Sequence, residues 1–337
     1  MTELTNKENP VFGVVGGGSW ATALVKLLID NDRPVNWYMR DTDAIEHIRR
    51  YHHHLKYLTA VELDADKFNV TDRIDEVVEI SDIIIFAVPS AYFIGEIGRI
   101  KASYDGKLLL SAVKGFVGEE NYTVAEYFHN VHGIPFDRIG VISGPCHAEE
   151  VSMERLSYIT FSSKRIEVAE YLCRFFSNYY VKTIPGTDIY GVEYAAALKN
   201  VYAIAVGICH GLGYGDNFMA VLITNCFNEM KEFINASHPD TTRKTTHSAY
   251  LGDLLVTCNS QFSRNRTFGG MIGKGYSVAA AKIEMEQVAE GYFATRSIKE
   301  INEKYGLPMP VADTVYSILY RGCPPAAMMR RLQDSLC

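Results

Sequence analysis

The sequence contains no Cys-x-x-Cys pair. Its seven cysteines, Cys146, Cys173, Cys209, Cys226, Cys258, Cys323 and Cys337, are scattered and odd in number. That pattern excludes a disulfide scaffold, supports no cysteine-built metal site, and fits free thiols in a reducing cytoplasm. Positive charge is also short: 33 Lys and Arg stand against 40 Asp and Glu, a formal net charge of -7. A general nucleic-acid or membrane-surface binder is thereby excluded, so any anionic ligand has to be met by a local basic pocket. The opening stretch "MTELTNKENP" has neither the basic n-region nor the apolar h-region of a secretory signal, and export is not expected. The most membrane-like run, "AAALKNVYAIAVGIC" from Ala195 to Cys209, is too short to cross a bilayer and carries Lys199 and Asn200, so it predicts a buried helix. No repeat appears at solenoid periods.

What is present is the patterning of two domains. A chain of 337 residues is long for one, and its 47% hydrophobic and 22% charged content is that of an ordinary globular protein. In the first half, short apolar runs at Val11–Val15, Val35–Met39, Ile83–Val88, Leu108–Val113, Ile139–Ile142, Ser157–Phe161 and Tyr180–Ile184 alternate with segments of helical spacing. "DIIIFAV" and "KLLLSAV" are nearly continuous apolar runs, as parallel strands covered on both faces require. The expected fold is α/β, a doubly wound parallel sheet. After Pro185-Gly186 only helical patterns follow, which predicts a sheet domain over residues 1–187 and an all-helical domain over 188–337.

The first strand runs into Gly16-Gly17-Gly18-Ser19-Trp20-Ala21, which fits G-x-G-x-x-[G/A] between a strand and a helix. Gly16 would make the tight turn, Gly18 would let the backbone approach a pyrophosphate, and the helix N-terminus would face the phosphates. Taken alone such a motif is weak; opening a β-α-β pattern, it points to a dinucleotide. Arg40, roughly 20 residues further on, stands where an NAD-selective site places an acidic group, and an arginine there can receive a 2′-phosphate. NADP(H) should be accepted, while Asp41 next door could still bind the ribose. "HHH" at His52–His54 reads as a mostly solvated loop rather than a metal site, with room for one histidine near the adenine-ribose side.

Further polar groups stand where packing alone would not ask for them. Lys114 ends the strand "LLLSAVKG", at the carboxyl edge where open α/β folds bind ligands, and "VISGPCHAEE" turns at Gly144-Pro145. Lys199 and Asn200 interrupt an apolar helix. A lone lysine usually snorkels, but these flanks leave it little polar surface, which favours a functional lysine. Asp253 and Thr257, four residues apart, would share a helix face. Ser263, Arg264, Asn265 and Arg266 have the composition of a phosphate clamp, although a solvated basic turn would look the same in isolation.

Taken together, Gly-x-Gly-x-x-Ala, "VKG", "SGP", "ALKNV", "GDLLVTC", "SRNR" and "VAEGY" resemble, in order and spacing from about Val11 to Tyr320, the NAD(P)-dependent glycerol-3-phosphate dehydrogenases of the bacterial biosynthetic type. The resemblance implies reversible reduction of dihydroxyacetone phosphate to sn-glycerol 3-phosphate with NADP(H) or NAD(H), feeding phospholipid synthesis. It also implies a Rossmann domain joined to a 6-phosphogluconate dehydrogenase-like helical domain, in a cytoplasmic homodimer without nucleic-acid or membrane partners. By that resemblance Lys199 is the catalytic lysine, supported by Lys114, Asp253 and Thr257. Glycerol phosphate would be held by Lys114, Gly144, Cys146, Lys199, Asn200, Asp253, Ser263, Arg264 and Asn265. The coenzyme would be held by Gly16, Gly18, Ser19, Trp20, Arg40, Lys114, Ala148, Arg264, Val288 and Glu290. Many relatives carry Ser or Thr at Cys146, and because a thiol is a weak donor, a side-chain bond from Cys146 to substrate is in doubt. Two rivals remain at this point, a ketopantoate-type reductase and a coenzyme-sensing binding protein without turnover.

Overall fold

The computed structural model describes residue 5, residues 7–285 and residues 289–337. The chain divides into two compact units. The first takes the chain up to Val113 and Val124–Ile189; the second takes Lys114–Thr123 and Tyr190–Cys337. Lys114 therefore packs with the second unit, although it stands only three residues beyond the end of a strand of the first.

The first unit is an eight-stranded sheet, ordered β3-β2-β1-β4-β5-β6-β7-β8. Its strands are β1 (Phe12–Val15), β2 (Val35–Tyr38), β3 (Phe68–Thr71), β4 (Ile83–Phe86), β5 (Leu108–Ser111), β6 (Ile139–Ser143), β7 (Ser157–Ser163) and β8 (Val181–Gly186). The helices are α1 (Ser19–Asp30), α2 (Thr42–Tyr51), α3 (Ile74–Ile80), α4 (Ser90–Ile97), α5 (Val124–His132), α6 (Ala148–Ser152) and α7 (Ile166–Phe176). β1, β4 and β5 are buried at every position, which is why they read as unbroken apolar runs. Two features depart from the sequence expectation. β7 pairs antiparallel with β6, so the sheet is mostly and not wholly parallel. β3, "FNVT", was not foreseen, because it is an edge strand with only its last two residues buried and shows no apolar run.

The remaining helices are α8 (Ile189–Gly211), α9 (Asp216–Ser237), α10 (Asp253–Asn259), α11 (Arg264–Gly273), α12 (Val278–Glu284), α13 (Glu290–Asn302), α14 (Pro310–Arg321) and α15 (Pro325–Gln333). α8 corrects the reading of its sequence as too short for a membrane: at 23 residues it is long and apolar enough, yet its apolar window is wholly buried inside the protein. A helix apolar on all sides belongs in a core.

α8 and α11 meet backbone to backbone. A Cβ on Gly269 would lie 2.1 Å from the Ile204 carbonyl oxygen, and one on Gly273 2.3 Å from that of Ile208. From the other side, a Cβ on Gly207 would lie 2.1 Å from the Arg266 carbonyl oxygen. The contacts step together along both chains, so the helices run parallel in register, and one turn earlier the same register brings Asn265 to Asn200. Elsewhere in this unit Glu229 of α9 accepts the N–H groups of Val311 (2.9 Å) and Ala312 (3.0 Å) at the start of α14, and burial pushes its carboxyl up to about 7.

Candidate active site

In the first unit, the glycine loop sits at the point where strand order reverses between β1 and β4. Gly16 has φ +135°, and a Cβ there would lie 2.3 Å from the Ala87 carbonyl oxygen, so its own fold demands glycine. Its carbonyl accepts the indole N–H of buried Trp37 at 2.7 Å, fixing the turn on β2. Gly18 is different: a Cβ there would have no protein atom within 4 Å. Packing does not require glycine at Gly18, and the open space in front of its backbone is what close approach of a pyrophosphate requires. Gly18 is the N-cap of α1, which begins at Ser19 and Trp20. The loop thus fits a dinucleotide on its own geometry.

Around it the acidic and basic groups are already engaged. Asp41 caps α2 by accepting the Ala44 N–H (3.1 Å) and pairs with Lys56 (2.7 Å), which lowers its pKa and commits both carboxylate oxygens. Arg40 is exposed, and its Nη1 lies 3.1 Å from Oε1 of buried Glu96. The histidine run is only partly solvated. His54 is 2% exposed, its Nδ1 accepts the N–H groups of Lys56 and Tyr57, and burial pulls its pKa down to about 4. A neutral histidine therefore fixes the turn into Lys56 and Tyr57, a role hidden by the polarity of its neighbours.

On the same unit Gly144 has φ +108°, with β7 only 2.9 Å from where a Cβ would stand. Cys146 is buried and its Sγ donates to the Gly144 carbonyl oxygen at 3.1 Å. The thiol hydrogen is directed within the turn. Ala148 is buried at the start of α6.

The second unit gathers the other predicted residues. Lys199 does not snorkel: it is 4% exposed, and its Nζ donates to Asp253 Oδ1 at 2.5 Å. A buried charge survives only when paired, and here each member supplies the other's partner. A π-helical turn at Ser248–Gly252 leads into α10 and sets Asp253 at that helix's first position, where the helix dipole favours a carboxylate. Thr257, one turn on, donates to the Asp253 carbonyl oxygen (2.6 Å) and stands 3.5 Å from Oδ1, so the two do share a face. Asp253 Oδ2 is buried and has no hydrogen-bond partner among the described residues. In a site 2% exposed, such an oxygen calls for a donor, which a water or a bound ligand can supply.

Behind the pair runs a chain of amides. Asn200 Nδ2 donates to the Lys114 carbonyl oxygen (3.2 Å), Asn265 Nδ2 donates to Asn200 Oδ1 (2.9 Å), and Gly291 N–H donates to Asn265 Oδ1 (2.8 Å). This chain ties Lys114, α8, α11 and the first turn of α13, which starts at Glu290, into one body. Ser263 is the N-cap of α11, accepting from the Arg266 N–H at 3.3 Å, and Arg264 is the first residue of that helix. Val288 lies outside the described residues. The sequence reading missed Glu96, took His54 for part of a solvated loop, and passed over the glycines of the α8–α11 contact, whose signal was the small residues four apart at 207/211 and 269/273.

A doubly wound sheet with a glycine loop at its switch point, followed by a helical unit carrying a buried lysine–carboxylate pair, defines a nucleotide-dependent oxidoreductase of the Rossmann type. Comparison with known proteins narrows the class. The chain belongs to the NAD-dependent glycerol-3-phosphate dehydrogenase family: the family's N-terminal part matches residues 12–169 and its C-terminal part residues 188–330. It is 35% identical over 316 residues to the glycerol-3-phosphate dehydrogenase [NAD(P)+] of Bacillus subtilis, covering 92% of this chain and 90% of that one. The crystal structure of glycerol-3-phosphate dehydrogenase from Coxiella burnetii superimposes with a TM-score of 0.89 at 26% identity, covering 97% of this chain and 99% of the other. A ketopantoate reductase from Ralstonia eutropha gives 0.61 at 14% identity, a likeness of fold alone.

Proposed function

We propose that this protein catalyses the reversible NAD(P)H-dependent reduction of dihydroxyacetone phosphate to sn-glycerol 3-phosphate, supplying glycerophospholipid synthesis. Family membership gives the reaction, and the buried Lys199–Asp253 pair is the observation that carries the chemistry. The coenzyme supplies the hydride. As the ketone is reduced, negative charge grows on its oxygen, and the Lys199 ammonium stabilises that charge and donates the proton. Asp253 Oδ1 holds the ammonium in position, and Oδ2 accepts from a substrate hydroxyl. Burial strengthens both interactions, since little water competes.

Arg264, with the first turn of α11, takes the phosphate: the helix N-terminus and a guanidinium are both suited to a dianion. Asn265 holds that helix start against Asn200 and so keeps phosphate and lysine at a fixed separation. Binding energy from the phosphate then positions the reacting carbon. Arg264→Ala is expected to raise KM for dihydroxyacetone phosphate about 30- to 100-fold, with the slow rate on unphosphorylated dihydroxyacetone changed less than about twofold. Equal losses on both substrates would remove Arg264 from phosphate recognition.

A cytoplasmic homodimer free of nucleic-acid and membrane partners belongs to the same proposal. The free thiols and the net charge of -7 support the compartment and the absence of polyanion binding, and sedimentation reads the stoichiometry.

A further inference from the structure

We propose that Glu96 is a specificity-determining residue that tempers preference for NADPH by drawing on the charge of Arg40. The proposal rests on the reading of Arg40 as the 2′-phosphate residue. Glu96 lies on α4, 3% exposed, with both carboxylate oxygens used. Oε2 accepts the hydroxyl of buried Tyr38 at 3.0 Å, and Oε1 meets Arg40 Nη1 at 3.1 Å. The Arg40 side chain itself is 57% exposed, so the pair has one end fixed in the protein and one end in solvent. Arg99 also reaches this cluster, its Nη1 donating to the Tyr38 oxygen at 3.4 Å. Asp41, the residue whose position suggests a ribose contact, is turned to α2 and Lys56 and plays no part in it.

The electrostatic consequence follows from the order of the charges. A 2′-phosphate on the solvent side of the guanidinium would sit roughly 6–8 Å from the Glu96 carboxylate. At that separation and near-aqueous dielectric, a unit negative charge opposes a dianion enough to weaken binding by about 5- to 10-fold. NADH lacks the phosphate and does not feel this opposition. Glu96 therefore narrows the gap between the two coenzymes that an unpaired Arg40 would open. Anchoring Arg40 works in the other direction by pre-organising it. That gain is small, because one Nη contact on a half-exposed arginine leaves most of its donors and much of its motion unrestrained.

The test compares wild type, Glu96→Gln, Arg40→Ala and the double variant in the full-length protein, measuring Kd for NADPH and NADH, and for 2′,5′-ADP and 5′-AMP, by tryptophan quenching. Glu96→Gln keeps an acceptor for Tyr38, and NADH binding together with Tm reports on the fold. The expected result is a rise of about 5-fold or more in the Kd ratio of NADH to NADPH, shrinking as salt is added, and abolished in the Arg40→Ala background. If Arg40→Ala weakens NADPH alone but Glu96→Gln leaves the ratio unchanged or lowers it, the role of Glu96 is overturned while that of Arg40 stands. If Arg40→Ala does not weaken NADPH, both fall.

Discussion

Replacing Lys199 by alanine is expected to lower turnover of dihydroxyacetone phosphate by about 10³-fold or more, with Kd for NADPH within about twofold of wild type. The loss combines two terms, since one group both donates the proton and stabilises the growing negative charge. The same change strands Asp253, 2% exposed, without its cation, and a stranded buried charge costs about 3–5 kcal/mol. An unfolded variant would say nothing about chemistry, so Lys199→Arg is the companion. Arginine keeps the pair charged but does not release a proton in proteins, so Tm should recover while turnover does not. Turnover within tenfold of wild type in either folded variant would remove Lys199 from the proton step. Circular dichroism and coenzyme fluorescence provide the controls.

The second large effect concerns two adjacent glycines that look alike in sequence. Gly269→Ala would put a Cβ 2.1 Å from the Ile204 carbonyl oxygen, with the remaining near atoms also backbone. Since no side chain can rotate away, α11 has to separate from α8 by about 1 Å, and overpacking of this kind costs about 3 kcal/mol. The displaced end of α11 carries Arg264 and Asn265, so KM for dihydroxyacetone phosphate should rise along with a Tm drop of about 6–12 °C. Gly270→Ala meets nothing closer than the Gly207 carbonyl oxygen at 3.8 Å, and removing a helical glycine should leave Tm unchanged or slightly raised. Equal tolerance of both substitutions would mean that the two helices are not packed backbone to backbone.

Sequence was most informative where a residue breaks its own context. Lys199 in an apolar helix and three glycines between strand and helix both violate local preference; the first is buried and paired with Asp253, and the second leaves open space at Gly18. The sheet was legible because its central strands are apolar on both faces. β3 escaped because an edge strand can be polar, and the reversed β7 escaped because strand direction is set by connections and not by composition. Glu96 shows the limit more sharply. It meets its partner Arg40 from 56 residues further along the chain, so no local pattern could announce it. His54 was concealed by neighbours that are themselves partly exposed, although its own ring is buried. Cys146 was legible only as a doubt, and the acceptor of its thiol, the Gly144 carbonyl two residues earlier, needed the turn geometry to be seen.

The most direct test of the account is oxidation of NADPH and of NADH by the purified protein, followed by loss of nicotinamide fluorescence with dihydroxyacetone phosphate, unphosphorylated dihydroxyacetone or a carboxylate ketone as acceptor. The account predicts rapid turnover with the phosphate, little with the other two, and use of both coenzymes. Coenzyme binding without turnover of the phosphate, or faster turnover of the carboxylate ketone, would contradict it.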